Sequence, residues 1–177
     1  GEPGGGWITT LVFSGPNLYA GTRRGGVFLS KDKGASWIGV NSGLPAKTDV
    51  QFLAVNGSIL FAGTVGHGVY RSTNNGGWWA AVNSGLPEGC SVWRLVASGT
   101  NLFDVAGTKS ATVSLSTNNG ETWTLSNKGL PDTTILCLAV SGTSLYAGAG
   151  EPFSNQTGGV FLSTDDGATW VPINKVF

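Results

Sequence analysis

The sequence has little charge, a single histidine and no methionine. Its 177 residues include 10 Lys and Arg, 10 Asp and Glu and 2 Cys, and the formal net charge is zero. Nucleic-acid affinity comes mainly from neutralised phosphates, so a neutral chain whose longest basic run is Arg23-Arg24 is not expected to bind DNA or RNA. No apolar run approaches the roughly 20 residues that cross a bilayer, which argues against membrane insertion. Two cysteines are too few for a disulfide scaffold, and no clustered His, Cys or carboxylate pattern predicts a metal or cofactor.

Glycine and tryptophan are abundant instead, with 29 and 7 residues, and they belong to a fourfold repeat. Each copy reads Ser-x-Asp/Asn-x-Gly-x-x-Trp, and a Gly-Leu-Pro tripeptide follows the first three copies. The segment upstream of each copy is also repeated, and the third version of it is interpreted as carrying a two-residue insertion, Asp104-Val105. The four copies of the motif are Ser30, Asp32, Gly34, Trp37; Ser72, Asn74, Gly76, Trp79; Ser116, Asn118, Gly120, Trp123; and Ser163, Asp165, Gly167, Trp170.

Each repeat contains four short apolar runs separated by turn residues, and no window has a helical period. In the first repeat the runs cover about 7–13, 17–23, 26–31 and 36–41. The first runs of repeats two and four, 51–55 and 136–140, are nearly continuous hydrophobics, which predicts strands buried on both faces. Four strands per repeat of 40–45 residues is typical of a β-propeller blade. The sequence therefore predicts an all-β fold, a β-propeller of four four-stranded antiparallel blades in one domain, 1–177, with repeats of about 1–45, 46–87, 88–131 and 132–177.

The repeated motif resembles the Asp-box, or BNR repeat, of sialidases, sortilin-type receptors, xyloglucan hydrolases and the photosystem II assembly factor. That resemblance implies a turn between the third and fourth strands of each blade, at the outer edge and away from the central channel. An Asp or Asn side chain bonds the backbone of such a turn, Gly takes a positive φ and Trp packs between sheets. The sixteen motif residues are therefore expected to be structural. The second copy departs from the pattern at Trp78, where Ser or Thr is usual.

The number of blades leaves the closure of the ring open. Four blades are the minimum for a propeller. A closed four-bladed ring, a partial ring completed by a second copy and part of a longer array all fit the sequence. An exposed blade face would present apolar surface, which favours association. We expect self-association.

Enzymatic chemistry is not favoured by the residues present. A sialidase needs three arginines for the substrate carboxylate and a Tyr/Glu nucleophile pair, and most of these roles have no candidate. A glycoside hydrolase needs two facing carboxylates, and the candidates are loop residues that are better interpreted as solvated turn residues: Asp49, Glu88, Asp132 and Glu151. In the alignment of the repeats, Cys137 is equivalent to Arg94, which lies four residues after Cys90. Four residues of strand exceed the reach of a disulfide, so two free thiols are favoured over a disulfide.

The loops between second and third strands vary most between repeats and are the predicted ligand-binding loops. They meet at one end of a propeller, and their polar residues would line one surface there, or would be simple solvated loop tips: Arg23, Arg24, His67, Lys109 and Glu151. Two sequons, at Asn56 and Asn155, fall in predicted loops and would matter only on a eukaryotic secretory route.

These features together favour a non-enzymatic interaction or assembly module, extracellular or at the cell surface. The expected partner is a second copy of the chain or another protein, and no cofactor is expected. The alternative is a glycan-binding or glycoside-hydrolysing propeller, in which exposed aromatics such as Trp93 or Phe153 would contact sugar. The chain begins with Gly and lacks Met, which indicates a processed chain or a piece of a longer one.

Overall fold

The computed structural model describes residues 6–107, 112–132, 134–150 and 158–173. These residues form four antiparallel four-stranded sheets, which we call blades 1 to 4, and no helix occurs among them. Blade 1 contains β1 Ile8–Ser14, β2 Asn17–Thr22, β3 Gly26–Ser30 and β4 Ile38–Gly39. Blade 2 contains β5 Val50–Asn56, β6 Ile59–Thr64, β7 Gly68–Ser72 and β8 Ala80–Ala81. Blade 3 contains β9 Ser91–Ser98, β10 Asn101–Gly107, β11 Thr112–Ser116 and β12 Thr124–Leu125. Blade 4 contains β13 Ile135–Ser141, β14 Ser144–Gly150, β15 Gly158–Ser163 and β16 Val171–Pro172.

Every blade is a simple meander in which each strand pairs with the next along the chain. The first two strands are joined by two-residue turns in which a glycine has a φ between 57° and 60°, as in Gly15 and Gly57. Such positive φ values match tight hairpins and are easily adopted by glycine. The all-β fold with four four-stranded antiparallel blades is therefore confirmed.

Successive blades pack through their first strands, in the order β1, β5, β9 and β13. Three hydrophobic clusters fill the boundaries between them: Tyr19, Val27, Val50, Leu53 and Trp79 between blades 1 and 2, and equivalent sets between blades 2 and 3 and between blades 3 and 4. No packing of comparable extent joins β13 to β1 among the described residues. The four blades form an open arc, which excludes the closed four-bladed ring as the arrangement in this structure.

The fourth strands are shorter than predicted, two residues in each blade. In blades 2 to 4, the tryptophan near the start of the predicted fourth run donates its backbone N–H outside its own sheet. Trp79, for example, donates its amide to Ser42 O of blade 1 at 2.8 Å. The start of each run in blades 2 to 4 is therefore bound to the preceding blade, and only the following pair of residues adds to the sheet.

Two further expectations about strands are wrong. Strand β13 is not buried on both faces, because Leu136 and Cys137 are exposed. The pair Asp104-Val105 is not an insertion within the strand. Asp104 pairs with Ser114 in the register in which Ala20 pairs with Phe28. Asp104 and Val105 therefore replace the Ala-Gly of the other blades, and the extra length of this repeat lies beyond Gly107.

The described part of the chain contains no helix long and apolar enough to cross a membrane.

Candidate functional site

Each boundary between blades is held by the tryptophan that ends the motif of the following blade. Trp79 donates its backbone N–H to Ser42 O at 2.8 Å and its indole N–H to Val40 O at 2.7 Å. Equivalent bonds join Trp123 to Ser84 and Val82, and Trp170 to Lys128 and Ser126, at 2.7–2.8 Å. These three tryptophans are buried. One tryptophan thus provides apolar area and an indole hydrogen bond through its side chain, and a second hydrogen bond through its backbone, across a boundary.

The glycine of each Gly-Leu-Pro tripeptide allows this close contact. At Gly85, φ is 96°, and an added Cβ would lie 2.0 Å from the carbonyl oxygen of Trp123. Gly43 and Gly129 have the same geometry against Trp79 and Trp170. Sequence reasoning noted the tripeptide as a landmark but did not assign this role. The available signal was its constant spacing, six residues after each tryptophan.

The repeated motif closes the turn between the third and fourth strands. In blade 1, Ser30 Oγ accepts a hydrogen bond from Gly34 N at 2.7 Å, and Asp32 Oδ1 accepts one from Ser36 N at 2.8 Å. The residue before the glycine also has a positive φ, 61° at Lys33. Hydrogen bonds from Ser36 and Ser30 hold the pKa of Asp32 down, at about 2, and the equivalent bonds do the same for Asp165.

The other copies of the turn use the same contacts with small changes. Asn74 and Asn118 accept the backbone bond through Oδ1 in place of a carboxylate. Thr122 accepts a further bond from Asn118 Nδ2. Trp78 has no side-chain hydroxyl for such a contact, and its ring is exposed. The turn geometry therefore depends on side-chain oxygens and positive φ values and does not require a negative charge.

Trp37 departs from the expectation that every motif tryptophan packs between sheets. No blade precedes it in the structure, so its indole N–H donates to Gly34 O of its own turn at 3.1 Å. The side chain is half-buried, whereas its three counterparts are buried. Trp37 is therefore equivalent to the boundary tryptophans but packs on no preceding blade in the described part of the chain.

The outer face of blade 1, which we call the blade-1 end face, exposes apolar residues whose counterparts in the other blades are buried or partly buried. It consists of Ile8, Leu11 and Phe13, and Trp37 is the counterpart in blade 1 of Trp79, which packs with Val50 and Leu53. Ile8 is 48% exposed and Leu11 is 59% exposed. The strand register places them at the positions of Val50 and Leu53, which are 0% and 3% exposed. The difference follows from the absence of a packed neighbour.

The opposite side of the arc, the blade-4 end face, consists of Tyr146, Leu162 and Ile173. Tyr146 is half-buried, whereas Tyr19 at the same register position is 0% exposed. Ile173 is 50% exposed. Its backbone N–H donates to Val160 O in the third strand, as the N–H of Val40 donates to Val27 O in blade 1. The two end faces therefore carry the two halves of the boundary that recurs three times inside the arc.

Three of the five predicted loop residues, Arg23, Arg24 and His67, lie in the described part of the chain, and they line two cavities. Arg23 and Arg24 line a cavity of about 280 Å³ with Gly6 and Trp7. Arg23 lies over the Trp7 ring at 5.9 Å and pairs with Asp49 at 3.8 Å. His67 lines a separate cavity of about 500 Å³, whose other lining residues include Tyr70, Asn83, Glu88 and Cys90. Lys109 and Glu151 lie outside the described residues.

The candidate catalytic carboxylates stand in successive linkers between blades. Asp49 precedes β5, Glu88 precedes β9 and Asp132 precedes β13. Glu88 and Asp132 are exposed, and Asp49 is half-buried beside Arg23. No group of three or more His, Cys, Asp or Glu able to hold a metal ion occurs among the described residues.

The remaining sequence candidates lie apart from each other. Cys90 is buried and Cys137 exposed, and both are free thiols. Burial and the nearby Asp104 raise the pKa of Cys90. Asn56 is the last residue of β5 and not a loop residue, because the hairpin turn occupies only Gly57 and Ser58. Asn155 and Phe153 lie outside the described residues.

Asp104 is a buried acid that sequence reasoning did not single out. It is 0% exposed, and neither carboxylate oxygen has a hydrogen-bond partner. Burial raises its pKa to about 7, and the neighbouring Ser114 offsets only part of that effect. The signal available in the sequence was the alignment, since an acid stands where the other blades have Ala20, Ala62 and Ala147.

No protein-family model matches this chain. No curated protein matches it either. Several solved structures, in contrast, match the chain in fold.

The chain is similar in fold to β-propeller proteins. A GH74 xyloglucanase from Xanthomonas campestris matches with a TM-score of 0.71 and 19% identity, over 90% of this chain and 28% of that one. YCF48 from Cyanidioschyzon merolae matches with a TM-score of 0.67 and 16% identity, over 97% of this chain and 57% of that one. The extracellular domain of a putative one-component system from B. thetaiotaomicron matches with a TM-score of 0.72 and 14% identity, over 97% of this chain and 22% of that one. The chain spans about a quarter to somewhat more than half of these proteins, and the likeness supports the propeller fold.

Proposed function

We propose that this chain is a non-enzymatic assembly module that associates through the exposed ends of its four-blade arc. The observation that carries the proposal is the contrast at matched register positions. Leu53 and Leu95 are buried at internal boundaries, and Leu11 is 59% exposed at the blade-1 end face. Contiguous exposed apolar residues of this kind mark interaction sites in soluble proteins.

The composition supports association between protein surfaces. A formal net charge of zero gives copies no long-range repulsion. A structure of similar fold shows YCF48 bound to a D1 peptide, at 17% identity and with a TM-score of 0.69. That propellers of this type can hold a protein ligand makes a protein partner reasonable here. An extracellular or cell-surface location is part of the proposal, and the extracellular domain of a putative one-component system, which has a similar fold, supports it.

The distribution of acids supports the non-enzymatic half of the proposal. A retaining or inverting glycosidase needs two carboxyl groups facing one another across a cleft. Asp49, Glu88 and Asp132 lie in three different linkers, each between two successive blades of the arc. The only one of the three with an ion-pair partner among the described residues, Asp49, is paired with Arg23.

Sedimentation velocity with two matched variants tests the assembly role. Leu11→Lys places a charge on the blade-1 end face, and Leu125→Lys places the same charge on the outer strand β12, where Leu125 is 71% exposed. We expect the wild type and Leu125→Lys to associate and Leu11→Lys to sediment as a single chain. A wild type that stays a single chain at all concentrations would refute the proposal. So would equal association of both variants.

A glycan-binding role is the second candidate, favoured by one exposed aromatic. Trp93 lies on the inner strand β9 and is 43% exposed, beside the half-buried Arg94. Exposed tryptophan rings are suitable for contact with sugar rings, and xyloglucanases share the fold. Calorimetry with xyloglucan oligosaccharides tests it, with Trp93→Ala abolishing any saturable binding. Turnover that Asp49→Asn abolishes would instead indicate a hydrolase.

A further inference from the structure

We infer that the partner of each end face is the opposite end face of a second copy, so that chains join head to tail. This inference rests on the proposed assembly role and adds its polarity. In a head-to-tail contact, blade 4 of one copy packs on blade 1 of the next. The contact would repeat the boundary that joins blades 1 and 2, blades 2 and 3, and blades 3 and 4 within each chain.

Each chain carries both halves of that boundary. The receiving half of the boundary between blades 1 and 2 contains an aromatic residue of the second strand, Tyr19, and an apolar residue after the fourth strand, Val40. Tyr146 and Ile173 occupy these positions at the blade-4 end face. The inserted half contains Val50 and Leu53 in blade 2, and Ile8 and Leu11 occupy those positions at the blade-1 end face.

Specific polar contacts extend the match beyond apolar area. Tyr19 Oη donates to Asn75 O in the motif turn of the next blade at 3.2 Å. Tyr146 has the same hydroxyl, and Lys33, which has a positive φ like Asn75, holds the equivalent carbonyl in blade 1. A head-to-tail contact therefore gives Tyr146 an acceptor on the next copy.

Trp37 supplies the second polar contact. The indoles of Trp79 and Trp123 donate to Val40 O and Val82 O of the preceding blade. Ile173 is the equivalent residue of blade 4. In the joined state the Trp37 indole exchanges Gly34 O for Ile173 O of the second copy. The backbone N–H bond of the internal boundaries is not part of the inference, because the sequence has Val at position 176, where the other repeats have Gly.

An isologous arrangement, in which two identical end faces meet, does not reproduce these contacts. Two blade-1 end faces would bring together Ile8, Leu11 and Phe13 of both copies and would leave Tyr146 and Ile173 exposed. Two-fold contacts use one patch twice, whereas head-to-tail contacts use two different patches. The two arrangements are therefore distinguished by which variants still associate.

Complementation between two variants tests the polarity. Leu11→Lys disables the blade-1 end face, and Ile173→Lys disables the blade-4 end face. Both residues are at least half exposed, so both variants should fold, which circular dichroism verifies. Placing a charge in a buried apolar contact is expected to raise the dissociation constant about 100-fold or more. Each variant alone should have the single-chain mass of 18.2 kDa by light scattering.

An equimolar mixture of the variants should form a species of twice that mass and nothing larger. One intact blade-4 end face then meets one intact blade-1 end face, and the two disabled faces stop further growth. Association of Ile173→Lys alone at the wild-type level would overturn the inference in favour of an isologous contact, while the assembly role would stand. A mixture that stays at 18.2 kDa when the wild type associates would overturn it as well. Association by neither the wild type nor the mixture would remove the assembly role itself.

Discussion

Replacing Asp104 by alanine should stabilise the protein, and the gain should grow with pH. The carboxyl group is buried without a hydrogen-bond partner, and its pKa is raised to about 7 from 3.8. Alanine occupies this position in the other three blades, so the substitution introduces a residue that the fold already accommodates.

The magnitude follows from the difference between the two pKa values. Between pH 3.8 and about 7 the unfolded chain releases the Asp104 proton and the folded chain retains it. The unfolded state therefore binds fewer protons, and the free energy of unfolding falls as the pH rises through this window. At 1.36 kcal/mol per pH unit, the cost above pH 7 reaches about 4 kcal/mol. Asp104→Ala removes that cost, and near pH 4 it should change the free energy of unfolding little.

Urea unfolding of the wild type and Asp104→Ala from about pH 4 to about pH 8 measures this difference. The gap between the two curves should open progressively and level off above pH 7. The exposed Asp132→Ala is the matched control and should run parallel to the wild type across the range. A gap that is constant with pH, or a loss of stability in Asp104→Ala at pH 8, would refute the account of a buried, unsatisfied acid.

Two further predictions concern the repeated turn and the boundary. Gly85→Ala should lower the free energy of unfolding by about 2 kcal/mol or more, because its φ is positive and the new Cβ meets Trp123 O. Gly99→Ala, also at a positive φ but with nothing within 4 Å, should cost about 1 kcal/mol by urea unfolding; equal losses would contradict the close-contact role. The pKa of Asp32 is held at about 2 by hydrogen bonds, so its contribution to stability is present above about pH 4 and is lost as the pH falls through 2. Asp32→Asn, the residue of blades 2 and 3, should therefore reduce the dependence of thermal unfolding on pH below 4, and an unchanged profile would argue against the turn contact.

The fold was predictable because the sequence repeats its own turn chemistry. A Ser-x-Asp-x-Gly-x-x-Trp motif needs side-chain oxygens, positive φ and a large ring at fixed spacing, and the structure has hydrogen bonds and φ values of this kind at Ser30, Asp32 and Gly34. Alternating and continuous apolar runs placed the first three strands of each blade within a few residues. Local chemistry and short-range pairing carry these features.

Features that depend on contact between blades were not predictable in the same way. The short fourth strands result from an amide of Trp79 that bonds Ser42 across a boundary. The place of Asp104 in the sheet depends on its pairing with Ser114, because the sequence alone suggested an insertion. The opening of the arc depends on the absence of packing between blades 1 and 4 among the described residues, which no local pattern specifies. The order of residues along the chain predicts contacts between residues that are close in sequence. It says little about which residues of two separate sheets will pack on each other.

The candidate site shows the same division. Sequence reasoning selected the variable polar loops, and in the structure two of their residues, Arg23 and His67, line different cavities. The end faces consist of ordinary core residues such as Leu11, which become exposed only because no blade covers them. A residue of this kind is indistinguishable from its buried counterparts until the packing is known.

The mass of the wild-type chain in solution tests the central claim most directly. Multi-angle light scattering over a wide range of concentrations reports the mass without assumptions about shape. The account predicts a mass that rises with concentration from 18.2 kDa toward twice that value or a higher multiple, as the end faces join. A constant 18.2 kDa at every concentration would contradict it and would mean that the end faces do not bind each other.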